Sequence, residues 1–205
     1  MDASEPHPYH YEINHIAYPA HLYTPPTPSQ PPSLSLTPFT WVSTPESLQT
    51  MLQSLTAVTE FAVDLEHHSY RSYLGFLCLM QISTRTHDYI IDLLTLRDDI
   101  EQLNQVFTDP NIVKVFHGAQ SDILWLQQDF NLYVVNLFDS FHASKLLGIL
   151  HLFLSLPFLL LIPEFPRHGL ANLLQMYCDY VPDKRYQLAD WRIRYAPSSL
   201  TPFPT

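Results

Sequence analysis

The sequence predicts an α/β fold, a mixed five-stranded sheet with flanking helices, and three observations carry that prediction. Three strand-like runs, 61–66, 76–84 and 87–92, follow one another as a meander. From about 97 to 147 helical and strand-like segments alternate, the pattern of helices crossing over between strands. The chain has 205 residues, 46% of them hydrophobic, enough for one domain with a sizeable core.

The elements follow in order. Residues 1–38 are rich in Pro, His, Tyr, Thr and Ser, with Thr24-Pro-Pro-Thr-Pro-Ser-Gln-Pro-Pro at their centre, and form an extended lead-in that cannot pack a core. Phe39-Thr-Trp-Val reads as a short strand. Thr44 is the N-cap and Pro45 the first turn of a helix running to about Ala57. After the meander, Arg97–Thr108 has helical spacing through Ile100, Leu103, Val106 and Phe107, and Asp109-Pro110 closes it. Ile112–Phe116 is a strand, Ser121–Phe130 a helix, Val134–Phe138 the last strand and Ser140–Leu147 a helix.

Composition excludes several classes. A net charge of −10 argues against broad, non-specific nucleic-acid binding, which calls for surplus Lys and Arg. Bound cations can supply the missing positive charge locally. Two cysteines, Cys78 and Cys178, give no disulfide framework and read as ordinary buried thiols in a reducing compartment. The first residues lack the apolar core of a signal peptide. Leu146–Ile162 is apolar but holds His151 and Pro157 and lacks basic anchors on its N-terminal side, so no membrane partner is expected.

Two segments carry chemistry. Phe61-Ala-Val-Asp64-Leu-Glu66-His67-His68 is an apolar strand with two carboxylates at its end. Side chains alternate along a strand, so Asp64 and Glu66 share a face and can grip one object, and oxygen-only ligands suit Mg²⁺ or Mn²⁺. Val115-Phe-His117-Gly118-Ala-Gln-Ser-Asp122 repeats the design, with an acid at the mouth of a helix. An isolated Asp-x-Glu is usually an ordinary surface pair. Joined by His-Gly-x-x-x-Asp it becomes specific, because three acids converging from two strand ends suit metal-assisted phosphodiester cleavage. His117, His142, His151 and His168 show no zinc spacing, and His117 reads as a hydrogen-bonded structural residue.

The words EFAVDLEHHSYRSYLGFLCLMQISTRTHDYIIDLLTLR, FTDPNIVKVFHGAQSDILWLQQDFNLYVVNLFDSFHASKLLG, RHGLANLLQMYC and KRYQLADWRIR together resemble one family. It is the nuclear exosome-associated 3′–5′ exoribonuclease family of the PM/Scl-100 autoantigen type, in the DEDD superfamily with bacterial RNase D. The resemblance implies a ribonuclease H-like sheet over 39–194 and two Mg²⁺ (or Mn²⁺) ions held by four acids. Asp64, Glu66 and Asp122 match three of those acids and are the expected catalytic and metal residues. One ion would activate the attacking water and the other would stabilise the leaving 3′-oxygen. His67, Trp125, Lys184 and Gln187 match RNA-contacting positions, His67 at the sugar, Trp125 stacking on the terminal base, Lys184 and Gln187 near the scissile phosphate. For Trp125, which lies one helical turn after Asp122, core packing is an equal alternative. The implied partners are single-stranded RNA 3′ ends and the nuclear exosome core, and the implied location is the nucleus and nucleolus.

The chain departs from the family in two places. Family members continue past ADWRIR into a helix carrying Tyr-x-x-x-Asp, whereas here Tyr195 is followed by Pro197 and Ser199, so the fourth acid is not matched and an irregular tail spans 195–205. The fold is accordingly expected to be incomplete at the C-terminus and turnover severely reduced. The apolar run 149–164 is an insertion within the domain that reads as a translated intron. His7-Pro-Tyr-His-Tyr-Glu-Ile resembles the family's lead-in, so 1–38 either drapes over the domain or serves as a plain linker. Two competing functions stand beside the exoribonuclease: a catalytically inactive RNA-binding or interaction remnant, and a DNA proofreading exonuclease that shares the acids without the EHHSYRSYLG and YQLADWRIR words.

Overall fold

The computed structural model describes residues 6–18, 20–24, 36–70, 72–154, 168–183, 185 and 189–194, with backbone alone at 21 and 148–154. Its centre is a mixed sheet of six strands, β1 (Phe39–Val42), β2 (Glu60–His68), β3 (Phe76–Ser83), β4 (Asp88–Asp92), β5 (Val113–Phe116) and β6 (Leu137–Asp139). Their order is β1-β4-β3-β2-β5-β6. The sixth strand is the short run Phe39–Val42, which pairs in parallel with β4 at the sheet edge and extends the five expected. The meander β2-β3-β4 is antiparallel, while β2, β5 and β6 run parallel, so their C-terminal ends open on one edge.

The helices follow the local signals. Helix α2 (Pro45–Leu55) starts where Thr44 Oγ1 accepts from Ser47 N, with Pro45 in the first turn. It buries Leu48, Met51, Leu52 and Leu55, the i, i+3, i+4, i+7 stripe of an amphipathic helix. The segment expected as one helix over 97–108 is tighter, a 3₁₀ turn at Ile100–Leu103 leading into α3 (Asn104–Phe107), and its apolar residues are buried as expected. Helix α4 spans Gln120–Phe130 and α5 spans Ser140–Leu154. The helix α5 therefore runs past Leu147 into the apolar run, while 155–164 of that run lies outside the described residues. No described helix is long and apolar enough to cross a membrane.

The last strand begins later than the sequence suggests. Val134 and Val135 are buried, but Asn136 takes φ 59°, a left-handed conformation that asparagine tolerates, so pairing starts only at Leu137. Short helix α1 (His10–Asn14) belongs to the lead-in, where the rings of His7 and Tyr9 lie 5.3 and 5.5 Å from Tyr133. These first residues therefore drape on the domain.

The two faces of the sheet differ. One buries Phe61, Val63, Leu65, Met80, Ile82, Ile91 and Phe116 beneath α2, α3 and α4. The other, in register across the strands, carries half-buried or exposed side chains at Trp41, Ile90, Gln81, Asp64, Ala62, Val115 and Phe138. Segment 189–194 reaches this face through Arg194, which bonds the Asp92 carboxylate and lies over the Trp41 ring.

Candidate active site

The site lies at the edge where the parallel strands end, the usual ligand position in open α/β sheets. Asp64 and Glu66 sit two residues apart on β2 and opposite Gln81 and Leu79, on the open face. β5 ends at Phe116, and the chain turns through His117 and Gly118 (φ 74°) into α4, whose first turn carries Asp122. The strand expected to end at Glu66 runs on to His68, so Asp64 and Glu66 lie within β2, beside the end of β5 and the start of α4.

The charge of Asp64 is felt by both other acids. Burial, then the charge of Asp64, push Glu66 up to about 7. Burial, then Asp64 and Asp139, push Asp122 up to about 6. Asp64 is raised too, by burial first, although its side chain reaches solvent, so protein crowds it without enclosing it. Such mutual repulsion is relieved by a proton or a cation. The donor set, three carboxylates and no thiolate, fits a hard divalent cation. Among the described residues no group of three or more His, Cys, Asp or Glu side chains is placed to hold a metal ion, so the three acids match the cation in chemistry and are not gathered around one point.

His117 fills the structural role expected of it, with Nδ1 3.0 Å from Ser140 Oγ. Burial lowers its pKa, and the charges of Asp139 and Asp64 oppose that. His67 and Trp125 come together: their rings stack at 4.0 Å with planes 8° apart. A bulge between Glu66 and His67 slips the pairing so that His67 faces Leu77 rather than Cys78. Trp125 also packs on the core cluster, as the core-packing alternative expects. Lys184 and Gln187, with Tyr195 and Ser199, lie outside the described residues.

One residue escaped the sequence reading. Asp139, at the end of β6, accepts from the backbone N–H of Gly118 (2.9 Å), Ala119 (3.0 Å), Phe141 (2.8 Å) and His142 (3.4 Å). Burial raises its carboxyl, and these four bonds outweigh that and hold it low. It ties together the starts of α4 and α5. The signal was present as an acid directly before a predicted helix, the pattern of an N-cap.

Comparison with known proteins matches residues 39–203 to the 3′–5′ exonuclease family. The exosome complex exonuclease RRP6 of Saccharomyces cerevisiae is 48% identical over 202 residues, 97% of this chain and 25% of that protein. Exosome complex component 10 of Homo sapiens is 49% identical over 95% of this chain and 20% of its own length. The chain thus spans a quarter or less of these relatives. The crystal structure of the catalytic core of RRP6 from Trypanosoma brucei superposes with a TM-score of 0.78 at 42% identity, covering 93% of this chain and 48% of that one. Escherichia coli RNase D gives 0.61 at 24% identity over 76% of this chain and 37% of that one, a likeness of fold.

Proposed function

Because this chain belongs to the 3′–5′ exonuclease family, we propose that it is an exoribonuclease module that removes nucleotides from the 3′ end of single-stranded RNA in nuclear RNA processing. The observation that carries the reading is the coupling of Asp64, Glu66 and Asp122 at one strand edge, beside the stacked rings of His67 and Trp125. These acids would hold Mg²⁺ or Mn²⁺, two ions by analogy with the family. Bound there, the cations supply positive charge that acidifies the attacking water and offsets charge on the leaving 3′-oxygen.

The chain's own groups do the rest. Water adds to the terminal phosphorus, the P–O3′ bond breaks, and a nucleoside 5′-monophosphate leaves a new 3′-hydroxyl. The His67–Trp125 pair presents a flat surface on which the last nucleotide stacks, a contact worth about 1–3 kcal/mol per base. In a chain of net charge −10 stacking and bound cations replace the basic surface of ordinary RNA binders. Lys184 and Gln187 are proposed to meet the scissile phosphate. The relatives named as exosome components make the exosome core the proposed partner and the nucleus the proposed compartment.

The test is digestion of 5′-labelled single-stranded RNA ending in a 3′-hydroxyl or a 3′-phosphate, with Mg²⁺ or a chelator and with Asp64→Asn alongside. Stepwise, Mg²⁺-dependent shortening of the 3′-hydroxyl RNA, lost in Asp64→Asn, is expected. The second reading, RNA binding without turnover, draws on the finding that no three of the described His, Cys, Asp or Glu side chains are placed to hold a metal ion. Retention of RNA with no shortening in Mg²⁺ would select it.

A further inference from the structure

Resting on the nuclease reading above, we propose that Gly75 is a positioning residue: it is the seat on which the His67 ring is held flat against Trp125. Residues 72–75 close the hairpin between β2 and β3, and Ser72 Oγ accepts from Gly75 N at 3.2 Å. Gly75 takes φ 70°, a conformation that glycine reaches without penalty. A methyl carbon at Gly75 would overlap Cε1 of His67 and stand 2.6 Å from its Nε2 and 2.8 Å from the carbonyl oxygen of His68. The imidazole thus occupies the space a side chain at position 75 would need.

The ring is confined from both sides. Its centroid lies 4.0 Å from that of the Trp125 ring, and the turn closes its edge. Trp125 cannot retreat, because it packs on the core through α4. Any side chain at position 75 must therefore push His67 off Trp125 or open the hairpin. Gly118 provides the internal contrast: it has φ 74° with nothing among the described residues within 4 Å of the corresponding methyl position. The two glycines share backbone geometry, and only Gly75 touches a ring of the site. Gly75 acts through His67 and makes no contact with RNA itself.

The test is a cycle of Gly75→Ala, His67→Ala and the double variant, with Gly118→Ala as the backbone control. Three readouts apply to the intact chain: thermal midpoint, Trp125 emission (taken as the difference from Trp125→Phe), and affinity for labelled single-stranded RNA of about ten nucleotides with Ca²⁺ replacing Mg²⁺. Gly75→Ala is expected to shift Trp125 emission and weaken RNA binding about ten-fold, the lower range of one stacking contact. In the His67→Ala background the same change should alter neither, because the collision with the ring is gone and only the contact with the His68 carbonyl remains. Its loss of thermal midpoint beyond that of Gly118→Ala should shrink there to the part set by the His68 carbonyl. Equal losses of affinity in both backgrounds, or unchanged emission in Gly75→Ala, overturn the proposal. If Gly75→Ala fails to fold, recovery of the fold in the double variant supports the seat and continued failure rejects it. Should the parent chain bind no RNA, the nuclease reading falls, while emission and thermal midpoint still decide on Gly75.

Discussion

The carboxylate of Asp139 closes the turn at Gly118, taking its N–H at 2.9 Å, from a different strand and twenty-one residues along the chain. That bond and the three beside it fix where α4 begins, and Asp122 rides on its first turn. Replacing Asp139 with Ala leaves the N–H groups of two helix starts without their acceptor. A loss of about 2–3 kcal/mol is expected, seen as a fall of about 4–10 °C in thermal midpoint. Activity should fall further than the midpoint alone explains, since Asp122 loses its placement. Full activity in a folded Asp139→Ala protein would separate Asp139 from the site.

The pH response of the three acids follows from their repulsion. Glu66 is held near 7 in the folded chain against an ordinary 4.5, so the fold binds more protons than the unfolded chain between those values. The stability it contributes is fully present below about 4.5 and lost as pH rises through about 7. A divalent cation must displace those protons, so Mg²⁺ should bind about ten-fold more tightly at pH 8 than at pH 6. Calorimetry or thermal shift at the two pH values checks this. Asp64→Asn removes the charge that raises both Glu66 and Asp122, and carboxyl carbon NMR should show both pKa values fall. It should also cost about 10³-fold in rate through lost electrostatic stabilisation. An affinity for Mg²⁺ that ignores pH would detach these carboxylates from the ion.

The sequence disclosed the strands because their residues alternate or run apolar between turns, and it singled out Asp64, Glu66 and Asp122 because an acid stands out against an apolar strand or at the start of a helix, although β2 runs on past both of its acids to His68. It placed Phe39–Val42 as a strand without revealing that it joins the sheet, since edge pairing through four residues leaves no pattern beyond its own. Val134 and Val135 looked like strand because they are β-branched, yet they are buried in a loop whose path Asn136 sets. Asp139 and Gly75 stayed hidden for a related reason: their roles depend on residues that only the fold brings near. The ring pair lies between these cases. His67 and Trp125 were each singled out in the sequence, while their mutual stacking, beside the bulge after Glu66, follows from no spacing rule.

Segment 189–194 is fastened by an ion pair between half-buried Arg194 and the buried carboxylate of Asp92. Arg194 gives two hydrogen bonds to Asp92, at 2.8 and 2.9 Å, and one to the Cys78 carbonyl at 3.0 Å. Burial raises Asp92, and Arg194 more than offsets it, so the carboxyl ends below its ordinary value. That stability is present above about 3.8 and lost as pH falls further. Arg194→Met strands a buried carboxylate and should cost about 3 kcal/mol, or about 6–12 °C. Arg194→Lys should recover little, because one ammonium cannot reproduce the forked contact. Asp92→Asn combined with Arg194→Met should be less harmful than the sum of the two, as expected for direct partners. Strict additivity in thermal midpoint would mean that the two residues act independently.

Lys114 is the one cation with no solvent exposure among the described residues, and it holds a turn together. Its Nζ donates to the carbonyl oxygens of Ile112 (2.5 Å), Asp109 (2.7 Å) and Val106 (3.3 Å), matching the three donors of an ammonium. Burial pushes its pKa down to about 7, with Asp109 opposing. The folded chain therefore holds fewer protons here than the unfolded one between about 7 and 10.5, and stability gains as pH rises across that window. Lys114→Met keeps the volume and leaves the carbonyl oxygens without their donor, for an expected loss of about 2–4 kcal/mol at pH 7. Because β5 leads directly to His117, Gly118 and Asp122, the same change should slow RNA shortening even where the protein remains folded. Thermal midpoints of the parent and Lys114→Met at pH 7 and pH 9 provide the check. The parent should gain relative to the variant at the higher pH, and equal midpoints at both would show that the amine does not hold this turn.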